Sequence, residues 1–400
     1  MGCSDQWIRG VSVSRVASQR FPTLAELFTI PYHHHSPHGP SQGGDRMVAE
    51  TSVTRRLMAA STKVNPDDLS LADLQTEADT LRKKINRFRE SLGRFFVHKQ
   101  ELIDLMVVAA VAQEPLLLVG PPGTAKSDLV LKFKDALGMD EGDYFEYMLT
   151  RFTEPSEIIG AIDIKELRAG RYIRKKEGKL PTARLAFLDE IFKSNSAILN
   201  ILLTIINEKK FYQEGKPEPV PLRVLFAATN EIPEQGELAA LKDRFVLKVQ
   251  SRSVQDEFFT ELIDAGLQGE AYKGLNQKPW AEGHCSLDDF IKANRYLTFL
   301  FARKTPGDGR EDEQNDRKLF FPGDVFREFQ RLVKTLVRED KIFISDRKLV
   351  KLYKLFRVRS WLFSGGTVSR DDLRLLAYLG ETHQEIDHLR EKVPQLLGDV

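Results

Sequence analysis

Three short stretches of the chain carry residue types suited to phosphate chemistry. The first is Gly120-Pro121-Pro122-Gly123-Thr124-Ala125-Lys126-Ser127. It follows a wholly apolar run, Pro115-Leu116-Leu117-Leu118-Val119, and precedes a helical pattern, Asp128-Leu129-Val130-Leu131-Lys132-Phe133. A glycine-bearing loop between a buried strand and a helix turns backbone N–H groups toward an anion, and the helix N-terminus adds its positive dipole end. In such a loop Lys126 reaches the β- and γ-phosphates of ATP, and the Ser127 hydroxyl holds Mg²⁺. The usual loop has glycine where Ala125 stands; its methyl group restricts φ, so Ala125 is expected at negative φ. A proline turn without function is the alternative reading, and the strand and helix on either side argue against it.

The second stretch is Leu185-Ala186-Phe187-Leu188-Asp189-Glu190, an apolar strand ending in two acids. Asp189 suits the Mg²⁺ shell, and Glu190 suits a general base that orients and polarises an attacking water. The third, Val224-Leu225-Phe226-Ala227-Ala228-Thr229-Asn230, ends in an amide. Asn230 could hold that water against the γ-phosphate. Each of the last two stretches alone is common; their order behind the loop gives them weight.

These residues need a parallel sheet to bring them together. The apolar runs at 115–119, 185–188 and 224–228, with a candidate strand at 144–149, alternate with helical patterns, as does a last strand at 245–249. That is an α/β arrangement with strands buried on both faces, and ligands in such sheets lie at the carboxyl ends of the strands. After Val249 helix-like segments dominate. Leu71, Leu74, Ala78, Leu81, Ile85, Phe88 and Leu92 form one apolar seam at helical spacing. A helix docked on the next domain is the simpler reading; a short coiled coil between subunits is the other.

Composition narrows the rest. The 400 residues carry 59 Lys and Arg against 58 Asp and Glu, a net charge of +1. This disfavours a nucleic-acid coat or a polybasic membrane binder. Two cysteines, Cys3 and Cys285, exclude a disulfide scaffold and a cysteine-ligated zinc site. His284 and Cys285 are adjacent, but a buried thiol beside a surface histidine explains them better than a metal site. No apolar run is long enough to span a membrane and none reads as a secretory signal, so a cytoplasmic protein is expected. Residues 1–66 read as a disordered extension with an incidental His33-His34-His35 and His38 tract, and Met47 is an alternative start. Thr305 to Asp316 reads as a mobile polar loop.

The ordered motifs resemble those of AAA+ ATPases, and specifically the MoxR family. The loop with alanine before lysine is similar, as are Leu188-Asp189-Glu190-Ile191-Phe192-Lys193, Ala197 to Leu203 and Ile206-Asn207-Glu208. Leu149-Thr150-Arg151-Phe152-Thr153-Glu154-Pro155 and Ser345-Asp346-Arg347 are most similar to the RavA-like branch. The resemblance covers roughly residues 93–390. It implies a five-stranded parallel sheet between helices, with the core at 95–252, a preceding helix at 67–94 and an all-α lid domain at 253–400, and ATP beneath the lid.

The resemblance also implies parts that act between subunits. Arg244, in Leu241-Lys242-Asp243-Arg244-Phe245, corresponds to a finger that reaches a neighbour's γ-phosphate, which requires a homo-oligomer, typically a six-membered ring. Arg347 is the candidate second phosphate sensor, with Arg357 and Arg359 on the same helix as competitors for the role. Two insertions, read as hairpins at 161–180 around Glu177-Gly178 and at 208–221 with a Gly215-Lys216-Pro217-Glu218-Pro219 turn, would face the ring's pore. The implied function is an ATP-hydrolysing chaperone that remodels a partner, with a separately encoded von Willebrand A domain protein as that partner. A nucleic-acid-directed motor and a non-hydrolysing nucleotide-bound scaffold are the alternatives.

Overall fold

The computed structural model describes residues 65–233, 238–302, 304–305 and 314–398. Residues 1–64 of the expected N-terminal extension, with its histidine tract and Met47, lie outside the described residues; its last two, Asn65 and Pro66, are ordered, Asn65 capping the short 3-10 helix Pro66–Asp68. Among the described residues five parallel strands form one sheet: β1 (Leu116–Val119), β2 (Tyr144–Met148), β3 (Leu185–Asp189), β6 (Val224–Thr229) and β7 (Leu247–Gln250), in the order β2-β3-β6-β1-β7. β4 (Lys210–Gln213) and β5 (Lys216–Pro219) pair separately as an antiparallel hairpin.

The parallel arrangement follows from the strands' composition. Every residue of β1 and β6 is buried, so both faces of the sheet must be covered by helices. One face carries α1 (Leu71–Gly93), α2 (Gln100–Ala112) and α3 (Lys126–Ala136). The other carries the helix Pro155–Ile159 and the helix Ser196–Glu208. Phe133 packs edge-on against Phe88 and Phe226, which ties α1, α3 and β6 together. Truncating such a ring to alanine costs about 3–5 kcal/mol.

The α1 seam is used inside the chain. Leu74, Ala78, Leu81, Ile85, Phe88 and Leu92 are all buried, against α2 and the helix Leu287–Ala302. Ser70 and Asp73 close the N-terminus of α1 as a reciprocal capping box.

The C-terminal region is helical. Its long helices Gly323–Arg338, Asp346–Phe363 and His383–Leu397 contribute Leu332, Leu355, Phe356 and Leu389 to the same apolar cluster as β1 and α3. The described residues therefore form one compact unit.

Several local expectations are corrected. The last strand begins at Leu247 rather than Phe245. The 161–180 insertion is not a hairpin around Glu177-Gly178. Asp163 accepts hydrogen bonds from Lys165 N (2.8 Å) and Glu166 N (3.4 Å), which starts a short helix, Ile164–Arg168. The chain reverses after that helix, and the insertion closes through a bridge between Ile162 and Arg174. The 208–221 segment is a hairpin, but it turns at Glu214-Gly215, both at positive φ. Such a turn matches the strand twist, and the residues after it continue as a strand. Around the expected loop at 305–316, Lys304–Thr305 and Gln314–Asn315 pair antiparallel, and residues 306–313 lie outside the described residues.

Candidate functional site

The sheet register brings the three sequence stretches together. Val119 pairs with Thr229 on one side and Gln250 on the other, and Met148 pairs with Asp189. Gly120, Asp189, Asn230 and Ser251 therefore meet at the carboxyl ends of neighbouring strands. Gly120 N donates to Thr229 O (3.1 Å) and Ser251 N to Val119 O (2.7 Å), carrying the ladder into the loop. A side chain at Gly120 would come within 2.5 Å of Ser251 O, so only glycine fits there.

Ala125 sits at φ 66°, ψ 21°, immediately before α3. This corrects the expected negative φ. The wrap of the loop into the helix demands a left-handed residue at this position, and alanine adopts it at a cost of roughly 1 kcal/mol. The strain is held by neighbours: Thr124 Oγ1 donates to Pro121 O (2.9 Å), and Ser251 Oγ donates to Thr124 O (2.7 Å).

Lys126 is 7% exposed. Its Nζ donates to Gly120 O (2.5 Å), Pro121 O (2.9 Å) and Asn230 Oδ1 (3.0 Å). Burial pushes its pKa down, while Asp189 and Glu190 pull it back. Ser127 Oγ lies 3.5 Å from Asp189 Oδ2. Asp189 Oδ1 accepts from Glu190 N (2.8 Å), which orients the carboxylate.

Glu190 is 3% exposed and held at φ 52°. Its Oε1 accepts from Asn230 Nδ2 and lies 3.1 Å from Lys193 Nζ. Its Oε2 is buried without a hydrogen-bond partner. A cleft of about 270 Å³ runs from Gly123, Thr124 and Ala125 between Phe96-Val97 and the helix Phe259–Gly274.

These features fit a nucleotide and Mg²⁺. The loop lysine occupies itself with the loop's own carbonyls. A hydroxyl and a carboxylate stand together beside it, as a hard cation shared with phosphate oxygens requires. A buried carboxylate oxygen lacks a donor. Among the described residues no group of three or more His, Cys, Asp or Glu could hold a metal ion by itself.

Arg244 and Arg347 are not brought to this loop. Both lie at the amino ends of β1 and β7. Arg347 lines a cavity with Glu114 and Pro115, directly before β1, and Lys351 and Lys354 of the same helix pair with Glu114 at 2.8 and 3.0 Å. A four-residue strand separates the two ends by roughly 13 Å. Arg347 Nη1 is 3.5 Å and Arg244 Nη1 3.3 Å from the same atom, Asp243 Oδ2. The lid expected above ATP is represented at the loop by the helix Phe259–Gly274, while Asp346–Phe363 reaches the opposite end of the sheet.

Sequence reasoning missed Lys99 and Ser251. Lys99 is buried and donates to Ser251 Oγ (3.3 Å), and burial followed by the charge of Lys126 pushes its pKa down. The two residues are distant in the chain, so no local pattern marks them. Lys193 was part of a quoted motif without a role. Cys285 is buried and its thiol pushed up by burial; His284 contacts Glu282.

A strand–loop–helix phosphate cradle with an acidic pair and a polar amide on adjacent strands defines a P-loop nucleotide-binding protein with an AAA+ type of core. Comparison with known proteins makes this more particular. Residues 83–285 match the family model described as the MoxR domain in the MoxR-vWA-beta-propeller ternary systems. The chain belongs to the MoxR family.

Uncharacterized protein MJ0079 of Methanocaldococcus jannaschii is 32% identical over 298 residues, covering 74% of this chain and 70% of that one. Chaperone MoxR1 of Mycobacterium tuberculosis is 28% identical over 194 residues, 48% of this chain and 49% of MoxR1. The chain thus spans about half the length of that relative. A crystal structure from Cytophaga hutchinsonii, described as a "putative ATPase", superimposes with a TM-score of 0.60 at 17% identity, covering 82% of this chain and 98% of that one. At this identity the likeness speaks for the fold. No helix among the described residues is long and apolar enough to cross a membrane.

Proposed function

We propose that the protein is an ATP-hydrolysing MoxR-type chaperone that works as a ring and changes the state of a partner protein. The observation that carries hydrolysis is Glu190. It is a buried carboxylate beside Asn230, with one oxygen lacking a donor. That oxygen suits a water poised for attack, which Glu190 would orient and deprotonate while Asn230 fixes the carboxylate.

Lys126 and the loop amides would hold the β- and γ-phosphates. Ser127 and Asp189 would hold Mg²⁺, which, when bound, neutralises charge developing on the phosphate oxygens. The magnesium assignment rests on the 3.5 Å approach of these two side chains.

Arg244 is read as acting in trans. It stands at the end of the sheet opposite its own loop, so the phosphate it serves must belong to a second copy. A hexameric ring is the assembly proposed, from the resemblance. The description of the matched family supports a von Willebrand A domain partner, with a β-propeller as a further component.

The two insertions are read as the surface that meets the partner or substrate. They form one body, since Tyr172 N donates to Glu214 and Arg174 N to Gln213 Oε1 (3.3 Å). They leave Tyr172 and Tyr212 exposed. The RavA-like assignment rests on the quoted motifs alone.

The test is steady-state ATP hydrolysis per subunit across protein concentrations. A rate that rises with concentration is expected, and Glu190→Gln should lower it about 10²–10⁴-fold with ATP binding retained. A Glu190→Gln variant at full rate would sink the general-base role; a rate independent of concentration would sink the trans arginine.

A further inference from the structure

The junction around Asp243 joins two parts of the chain through one carboxylate. Asp243 follows the short helix Ala239–Lys242 and precedes β7. Its Oδ1 accepts from Ser345 Oγ at 2.9 Å, while its Oδ2 faces Arg244 and Arg347. Ser345 is also the N-cap of Asp346–Phe363, accepting from Lys348 N at 3.2 Å. The carboxylate beside the arginine finger is therefore tied to the first turn of the longest C-terminal helix.

Arg244 is poorly served where it lies. Its side chain is 14% exposed, its Nη1 has one long contact, and its Nε is buried without an acceptor. A guanidinium has five donors in a fixed fork, and burying one with an idle donor is unfavourable. An anion presented at the surface would serve it better. Its departure would leave Asp243 with Ser345 and Arg347 as partners, so the carboxylate would not be stranded. Were Ser345 and Arg347 withdrawn, Asp243 would have Arg244 as its main partner, and that pair would tighten.

We propose that Asp243 is a positioning residue through which the C-terminal helical region, by Ser345 and Arg347, sets whether Arg244 is held in its own subunit or free to reach a neighbour's phosphate. The inference rests on the trans-finger reading of Arg244. It predicts that this reading alone is not enough: the finger's availability depends on a contact at the opposite end of the sheet from its own subunit's phosphate loop.

The experiment uses the full chain at a concentration where hydrolysis per subunit is saturated. Ser345→Ala should lower kcat about 5- to 10-fold with KM for ATP unchanged. Ser345→Thr, which keeps both the hydroxyl and the cap, should behave as the wild type. In an Asp243→Asn background the Ser345→Ala effect should vanish, because the holding charge has gone; loss of a helix cap alone would not be rescued in this way. Thermal unfolding of each variant confirms that it is folded.

A Ser345→Ala loss that persists in full in Asp243→Asn overturns the proposal. So does an unchanged kcat in Ser345→Ala while Arg244→Ala is impaired, and in that case the finger reading survives. Full kcat in Arg244→Ala overturns the finger reading and this inference with it.

Discussion

The two ends of the sheet carry mirror-image deficits. At the carboxyl end Lys126 has three acceptors, and the group left short is an anion, Glu190, whose Oε2 lacks a donor. At the amino end Asp243 is well supplied, and the group left short is a cation, Arg244, whose Nε lacks an acceptor. A buried polar atom without a partner costs roughly 1–3 kcal/mol, so each of the two positions favours a ligand of the opposite character. Something small that donates, such as a water, would satisfy the first; an anion would satisfy the second, and the phosphate loop of the same chain lies at the other end of the sheet. The comparison teaches that, on the function proposed above, one subunit would carry the two halves of a hydrolytic site at opposite ends of its sheet, where they do not meet.

The largest effect expected is at the carboxyl end. Lys126→Ala removes the one side chain that joins the loop carbonyls to Asn230, and nucleotide binding followed by calorimetry should fall below detection. Retained binding in that variant would break the assignment of this end to phosphate.

Next comes the amino end. If Arg244 serves a neighbour's phosphate as proposed, Arg244→Ala should lower kcat about 10³-fold or more, as loss of an arginine finger does, while ATP binding stays near the wild-type value. Mixing Arg244→Ala with Glu190→Gln subunits should restore part of the activity, since some interfaces then pair an intact base with an intact finger. Absence of any restoration would argue that both residues serve one subunit.

A third prediction concerns the junction beneath Arg244. Lys248 is fully buried, and its pKa is pushed down to about 7, chiefly by burial and then by Lys348. The unfolded chain keeps a lysine pKa of 10.5. Between these limits the unfolded state binds the extra proton, so stability rises with pH, and the penalty is complete below the window. Lys248→Met removes that slope. Its stability relative to the wild type should be most favourable at or below pH 7 and decline as pH approaches 10.5. Parallel denaturant midpoints across that range would refute the buried charge.

The smallest effect is expected at Ala125. Ala125→Gly relieves a left-handed alanine but loosens the unfolded chain, for a net gain of at most about 0.5 kcal/mol in denaturant unfolding. A loss would mean that the methyl group packs usefully against the loop.

Much of the carboxyl end was legible in the sequence. Its loop, acidic pair and amide each lie directly after an apolar run, and covalent adjacency to a strand end is enough to say where they go once the strands are parallel. The seam of α1 was legible for a similar reason, since helical spacing names its buried face. The insertion at 161–180 was misread because a capping aspartate, Asp163, started a helix that glycine-based turn reading did not weigh.

What the sequence by itself determined was a set of strand ends and the chemistry attached to each, because both are written in neighbouring residues. Which ends face which was decided only by the tertiary structure. Arg347 sits beside Arg244 rather than Lys126 because the C-terminal helices share the core of the sheet, and Lys351 and Lys354 anchor their helix to Glu114 at the amino end. The φ of Ala125 was likewise decided by the wrap of the loop against Ser251. Contacts of this kind join residues more than a hundred positions apart, and their energies depend on packing that no local pattern encodes.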